Sequence, residues 1–190
     1  VIVQVFKQMS DVYADGERVY AQAGALLSKT AAVACEASLT GMEFASGIPG
    51  TLGGALRMNA GAYGGEMKQI VESAEVLTSE GEVLNLTNEE LGMGYRTSVI
   101  AKNDYVALSA VLKLEKGDRQ EIRAYMEDLK ERRVTKQPLE FGSAGSTFKR
   151  PEGYFAGKLI QDSGMQGYRV GDAQVSEKHC GFVINRGNAT

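Results

Sequence analysis

Apolar and polar positions alternate along this chain with two periods, and the period separates strands from helices. Val12-Tyr13 and Val19-Tyr20 flank Asp15-Gly16, a pair suited to a tight hairpin turn. Ile70 to Leu77 and Val83 to Leu86 read as two strands joined around Ser79-Glu80-Gly81, and Tyr105 to Leu114 as one long strand. Residues 1–6, Val-Ile-Val-Gln-Val-Phe, read as a buried strand. Helical spacing appears elsewhere. From Ala25 to Leu39 the apolar positions are Leu26, Leu27, Ala31, Ala34 and Cys35, an Ala-rich helix packed closely on a neighbour. Asp118 followed by Glu121 predicts a capping box, and Ile122, Met126 and Leu129 form the apolar stripe of the helix it opens. A further helix is expected near Phe155–Ser163. The order of strands and helices shows no regular βαβ alternation, which favours an α+β fold. From Pro138 onward Gly, Ser, Lys and Gln become frequent, and a domain boundary is expected near Gly117, giving 1–117 and 118–190.

The totals narrow the field only modestly. A length of 190 residues suits one domain or two small ones. A net charge of −3 gives no general attraction to nucleic acid or to an anionic membrane, so any anion site is local. The cluster Lys130-Glu131-Arg132-Arg133 is interrupted by an acid and reads as a solvated helix face. Cys35 and Cys180 are too few for a disulfide framework and suit a reducing cytoplasm. No apolar run reaches transmembrane length and no secretory signal is visible. The opening strand without a lead-in, and the helix-start character of Asn188-Ala189-Thr190, lead us to expect a cut at both ends.

Four segments carry candidate chemistry. In GIPGTLGGALRMNAGAYGG, Gly47 to Gly65, the glycines match neither G-x-x-x-x-G-K-[ST] nor G-x-G-x-x-G. Gly50, Gly53 and Gly54 still allow a ligand to approach the backbone, whose N–H groups bind phosphate or the edge of a flat ring. Asn59 adds a donor and acceptors. The competing reading is close helix–loop packing. In Gly94-Tyr95-Arg96-Thr97-Ser98, Arg96 can clamp a carboxylate or phosphate in a bidentate fork, or simply pair with a surface carboxylate. In Phe141 to Pro151, Ser146 and Lys149 form S-x-x-K, the spacing that sets Lys beside a nucleophilic Ser in penicillin-recognising hydrolases. The accompanying S-D-N and K-T-G are absent, and Pro151 argues against a continuous helix. Alternatively Ser146 is a proton donor or anchor in a loop, with Lys149 and Arg150 binding a phosphorylated substrate. His179, the single histidine, excludes a His-rich metal site and suits a supporting role. Cys180 beside it would face the opposite side of a strand.

GIPGTLGGALRMNAGAYG, GYRTS, SAGSTFKRP, FAGKLI and VSEKHCGFVIN, in this order, together resemble the UDP-N-acetylenolpyruvoylglucosamine reductase family. The resemblance implies the second lobe of a vanillyl-alcohol-oxidase-type FAD-binding domain plus a smaller α+β substrate-binding domain. It also implies FAD-mediated reduction by NADPH of UDP-N-acetylglucosamine enolpyruvate to UDP-N-acetylmuramate, in cell-wall peptidoglycan synthesis. Carried over residue by residue, Pro49, Gly50, Thr51, Gly53, Gly54, Asn59, Gly61 and Ala62 lie against FAD. Arg96 stabilises the enolate and Ser146 donates the proton. Tyr95, Lys149, Arg150, Gln174 and Lys178 contact substrate. The family's catalytic glutamate and its other FAD lobe have no match in this sequence. SAGSTFKRP and KHCGF resemble the branch common among Gram-positive bacteria. A monomeric cytoplasmic protein is expected, with no metal, nucleic acid or membrane. Two alternatives stand beside this one. They are a serine acyl hydrolase built on Ser146 and Lys149, and a non-catalytic nucleotide-sugar binding module.

Overall fold

A computed structural model describes residues 5–190. Most of the expected strand over 1–6 lies outside the described residues, and Val5 and Phe6 lead into a turn instead. The elements, in chain order, are β1 Val12–Asp15, β2 Arg18–Gln22, α1 Leu27–Glu36, β3 Leu39–Thr40, α2 Leu52–Met58, β4 Gly61–Ala62 and β5 Gly65–Glu66. There follow β6 Val71–Leu77, β7 Val83–Thr87, α3 Val99–Lys102, β8 Val106–Lys113, β9 Glu115–Lys116 and α4 Arg119–Lys136. The last are β10 Gly142–Ser146, α5 Ala156–Asp162, β11 Arg169–Val170, β12 Ala173–Val175 and β13 Phe182–Asn185.

Residues 1–130 and 131–190 form two compact units. The first holds a five-stranded antiparallel sheet in the order β1-β2-β8-β6-β7. The β1–β2 turn is a two-residue loop, Gly16-Glu17, closed by the Asp15–Arg18 pair, with Gly16 at φ +60°. Glycine takes the left-handed position at the first central residue of such a turn without steric cost. Strand alternation sends Val19 and Ala21 of β2, Ala74 and Val76 of β6, and Ala110 and Leu112 of β8 into the core. Small residues dominate there, so helices approach the sheet closely, and Leu27, Ala31 and Ala34 of α1 and Leu52, Ala55 and Leu56 of α2 join the same core. Tyr13 and Tyr20 stack on the sheet with ring centroids 4.8 Å apart.

The first unit runs on into α4 rather than ending near Gly117. Asp118 Oδ1 caps the helix, accepting from the N–H groups of Gln120 and Glu121. Ile122 and Leu129 are buried, and Met126 packs on the core of the first unit. Arg119 and Arg123 both pair with Glu36 at the end of α1, the latter at 2.6 Å. These contacts fasten the start of α4 to α1 and carry the break toward the helix's far end. The second unit holds a four-stranded antiparallel sheet, β10-β13-β12-β11, with Cys180, Phe182 and Ile184 buried. Both cysteines are free. Among the described residues no helix is long and apolar enough to cross a membrane, and no His/Cys/Asp/Glu group could hold a metal.

Candidate active site

The glycine-rich segment divides into two kinds of glycine. Gly53, in the first turn of α2, donates its N–H to Ala23 O at 2.8 Å, and a Cβ there would lie 3.0 Å from Ala23 Cβ. Gly61 and Gly65 are equally confined. A Cβ would meet Gly65 O at 2.6 Å in one case and the Phe44 ring at 2.5 Å in the other. For these three, close packing is the reason for glycine. Gly54 is different. It is exposed on α2, and the nearest atom to its missing Cβ is Thr51 Oγ1 at 4.0 Å. A glycine inside a helix costs about 1 kcal/mol relative to alanine, and no protein atom explains it here. Gly50, at φ +151°, and Gly64, at φ +89°, likewise open onto free space. Pro49 and Gly50 are exposed, and Thr51 and Ala62 are half-buried. The Thr51 hydroxyl, at the N-cap position of α2, makes no capping bond. A flat or anionic group can reach the backbone at Gly50, Thr51 and Gly54. At Gly53 the N–H is already taken, contrary to the expectation of an exposed donor.

Asn59 ends α2 in the left-handed conformation, φ 42° and ψ 59°, and is fully buried. Its Nδ2 donates to Glu66 Oε2 and to Gly94 O, both at 3.1 Å, and its Oδ1 accepts from Lys68 N at 2.9 Å. The side-chain capacity that suggested a ligand contact is therefore spent inside the protein. Its effect is to fasten the Gly94 turn to α2.

That turn carries Arg96. Gly94 and Thr97 exchange two backbone hydrogen bonds, N–H to O, at 3.0 and 3.2 Å, closing a two-residue loop over Tyr95 and Arg96. Arg96 lies at φ +56°, where glycine is the usual occupant. Its guanidinium donates from Nη1 to Asn59 O at 3.3 Å and from Nη2 to Gly61 O at 3.2 Å, and lies 5.1 Å from the centre of the Tyr95 ring. Among the described residues it forms no ion pair, so the expectation of a surface carboxylate partner fails. Ser98, fully buried, donates to Arg57 O at 2.9 Å and ties the other side of the turn to α2. An arginine kept in a strained backbone conformation, with its cation held by carbonyls, is a feature of functional sites.

The second unit gathers the other candidates. Ser146 is the last residue of β10, exposed, and pairs with Phe182 of β13. Thr147 N donates to Gly181 O at 2.8 Å. Lys149 is exposed in a loop, so S-x-x-K does not lie on a helix and does not set Lys149 one turn from Ser146. That removes the geometric basis of the acyl-hydrolase reading. Arg150 donates from Nε to Tyr154 O at 3.1 Å and lies 3.9 Å over the Phe155 ring. Gln174 and Lys178 are engaged within the unit. Gln174 donates to Gly167 O at 3.1 Å, and Lys178 donates to Val134 O at 2.9 Å and faces Glu140 at 3.7 Å. His179 Nδ1 accepts from Gly181 N at 3.1 Å. Sequence reasoning missed Glu66, Ser98 and Ser176. Glu66 had a readable signal, the E-x-x-Q spacing to Gln69 that forms a capping box in the structure.

Residues 1–87 match the FAD binding domain family, and residues 137–190 match the family described as UDP-N-acetylenolpyruvoylglucosamine reductase, C-terminal domain. A UDP-N-acetylenolpyruvoylglucosamine reductase of Alkaliphilus oremlandii is 60% identical over the whole chain, which covers 62% of that relative. One of Clostridioides difficile is 55% identical over the same shares. The crystal structure of the Thermus caldophilus enzyme superposes with a TM-score of 0.81 and 39% identity, over 90% of this chain and 62% of that one. Over its whole length the chain is similar to part of these UDP-N-acetylenolpyruvoylglucosamine reductases, and its residues 137–190 match the model of that family's C-terminal domain. It spans 62% of the length of these curated relatives. The α+β architecture and the FAD-binding match agree with the resemblance drawn from the five motifs, and the relatives are named as reductases rather than hydrolases or binding modules.

Proposed function

We propose that this chain forms the substrate-reducing part of an FAD-dependent, NADPH-oxidising enzyme. Its reaction converts UDP-N-acetylglucosamine enolpyruvate to UDP-N-acetylmuramate for peptidoglycan. Residues 1–130 serve FAD and residues 131–190 serve the UDP sugar, in a cytoplasmic, monomeric protein. The fit to FAD rests on Gly50, Thr51 and Gly54, where backbone opens onto space that a Cβ at Gly54 would narrow. Pro49 and Ala62 flank that surface, while Gly53, Asn59 and Gly61 hold its backbone in shape. Bound FAD supplies a hydride, taken from NADPH, to the β-carbon of the enolpyruvyl group.

Hydride addition there leaves an enolate whose negative charge grows on the carboxylate oxygens. Arg96 meets that charge. Two of its N–H groups are committed to Asn59 O and Gly61 O, which fix the plane of the guanidinium. The remaining N–H groups can fork onto the carboxylate. A donor fixed before the reaction stabilises developing charge without reorganising. Tyr95, exposed on the same turn, covers the substrate side. Ser146 then gives its hydroxyl proton to the α-carbon, closing the addition of one hydride and one proton. A carbanion α to a carboxylate is far more basic than a serine alkoxide, so a hydroxyl is acid enough. Ser146 Oγ makes no hydrogen bond among the described residues, which leaves the proton available. Lys149 and Arg150 take the diphosphate, Arg150 through its planar fork. Gln174 and Lys178 shape the loops around it.

The observation that carries this reading is Arg96. A bulky cation is held at φ +56° by carbonyls of the glycine-rich segment. The test is a chimera in which this chain replaces the matching part of the Alkaliphilus oremlandii relative. Its flavin should bleach with NADPH and recover its visible bands anaerobically when the enolpyruvyl substrate is added. A folded, flavin-loaded chimera that bleaches but never recovers with substrate would overturn the proposal.

A further inference from the structure

The loop around His179 is built with more care than a bystander histidine requires. Ser176, buried, accepts at Oγ from the N–H groups of both Lys178 and His179 at 3.2 Å. Ser176 N donates to Phe182 O, and Phe182 N to His179 O. The imidazole is packed from three sides. Gly157 of α5 would bring a Cβ within 3.3 Å of Cε1, Gly181 within 2.9 Å of the same atom, and the Phe182 ring sits edge-on with centroids 4.9 Å apart. Nδ1 accepts the Gly181 N–H at 3.1 Å. That bond needs a lone pair on Nδ1, so the proton of the neutral ring sits on Nε2.

Gly181 connects this ring to Ser146 in two ways. Its carbonyl accepts from Thr147 N at 2.8 Å, which fixes the residue following Ser146. The point where its Cβ would stand lies 3.1 Å from His179 Nδ1 and 3.2 Å from Ser146 Oγ. The imidazole and the hydroxyl therefore converge over one α-carbon, and any side chain at position 181 would drive them apart.

We propose that His179 is the positioning residue for Ser146, holding its hydroxyl in place through the Gly181 backbone. This rests on the reading of Ser146 as proton donor. The imidazole transfers no proton itself. Its Nδ1 lone pair fixes the Gly181 N–H, the Gly181 carbonyl fixes Thr147, and the serine hydroxyl keeps one direction. A small displacement of a reacting group costs rate steeply.

The test uses the chimeric reductase and measures its two half-reactions separately. His179→Ala and His179→Gln should slow flavin reoxidation by substrate roughly 10- to 100-fold while leaving reduction by NADPH unchanged. His179→Asn, whose amide oxygen takes the place of Nδ1, should recover most of the loss. In a Ser146→Ala background, His179→Ala should add almost nothing, because residues acting as one unit are not additive. Imidazole 15N shifts of the intact chain should report the Nε2–H tautomer. A full His179→Ala effect persisting in the Ser146→Ala background would overturn the proposal. So would an Asn variant no better than Gln, or an Nδ1–H tautomer. A Ser146→Ala enzyme that reoxidises at the normal rate would instead sink the reading of Ser146 itself, and the proposal with it.

Discussion

Replacing Arg96 by alanine and, separately, by glycine separates what its side chain does for the reaction from what its backbone costs the fold. Both variants lose the hydrogen bonds to Asn59 O and Gly61 O, at 3.3 and 3.2 Å. Those contribute about 1 kcal/mol each. Only the glycine variant relieves the left-handed conformation at φ +56°. That relief is roughly 1–2 kcal/mol for an L residue. Against it stands the extra chain entropy of glycine, about 0.5–1 kcal/mol. Arg96→Gly should therefore be the more stable variant by roughly 0.5–1 kcal/mol, or about 1–4 °C in Tm for a chain of this size. Thermal unfolding of the two proteins followed by circular dichroism reads the difference. In the chimeric reductase both should lose roughly 10²- to 10³-fold in flavin reoxidation by substrate, the usual cost of removing a fixed oxyanion donor. Stability and rate thus move independently between the two variants. Equal melting temperatures, or a more stable alanine variant, would refute the strain argument. Unimpaired reoxidation in both would remove Arg96 from the chemistry.

Neighbouring glycines on α2 should respond in opposite ways. Gly53→Ala pushes a Cβ to 3.0 Å from Ala23 and should destabilise the fold by about 1–3 kcal/mol on overpacking, outweighing a helix-propensity gain of about 1 kcal/mol. Gly54→Ala meets nothing nearer than 4.0 Å and should stabilise by up to about 1 kcal/mol while weakening FAD binding. Urea unfolding and a flavin-fluorescence titration of the chimera check the pair, and a Gly54→Ala protein that binds FAD normally would remove position 54 from the flavin surface. Asn59→Ala strips three buried hydrogen bonds and should destabilise the first unit by about 3 kcal/mol, so a loss below about 1 kcal/mol in urea would contradict its anchoring role. In the second unit, the Asn188 N–H and then Arg169 hold the Asp172 carboxyl below its usual range. A depressed carboxyl contributes stability above its unfolded pKa and loses it as pH falls through the folded one. Amide exchange at Asn188 should accelerate below the ordinary aspartate range, and Asp172→Asn should flatten that dependence.

What the sequence reveals depends on how far away the deciding partner sits. The first hairpin, the strands around Ser79–Gly81 and the Asp118 cap are settled by neighbours a few residues off; the latter two stand where the pattern put them, and the hairpin turns over Gly16-Glu17, one residue later than Asp15-Gly16. The end of the first unit is not, because Glu36 on α1 is what captures Arg119 and Arg123 on α4. The glycines make the same point more sharply. Gly53 and Gly54 are adjacent identical letters, yet one is explained by Ala23, thirty residues back in the chain, and the other by nothing in the protein. Arg96 and Asn59 reverse expectation for a related reason. A left-handed arginine has no sequence signature, since its turn is held by Asn59 from outside, and that holding consumes the amide read as a ligand contact. Motif resemblance pointed to these segments without telling which of their residues lie open and which hold those that do. The distinction follows from satisfaction: Asn59 has spent both amide N–H groups on the fold and its Oδ1 accepts from Lys68 N, whereas Gly54 and part of Arg96 carry costs that the fold alone does not repay. Residues of the second kind are the ones the proposed reading assigns to cofactor and substrate.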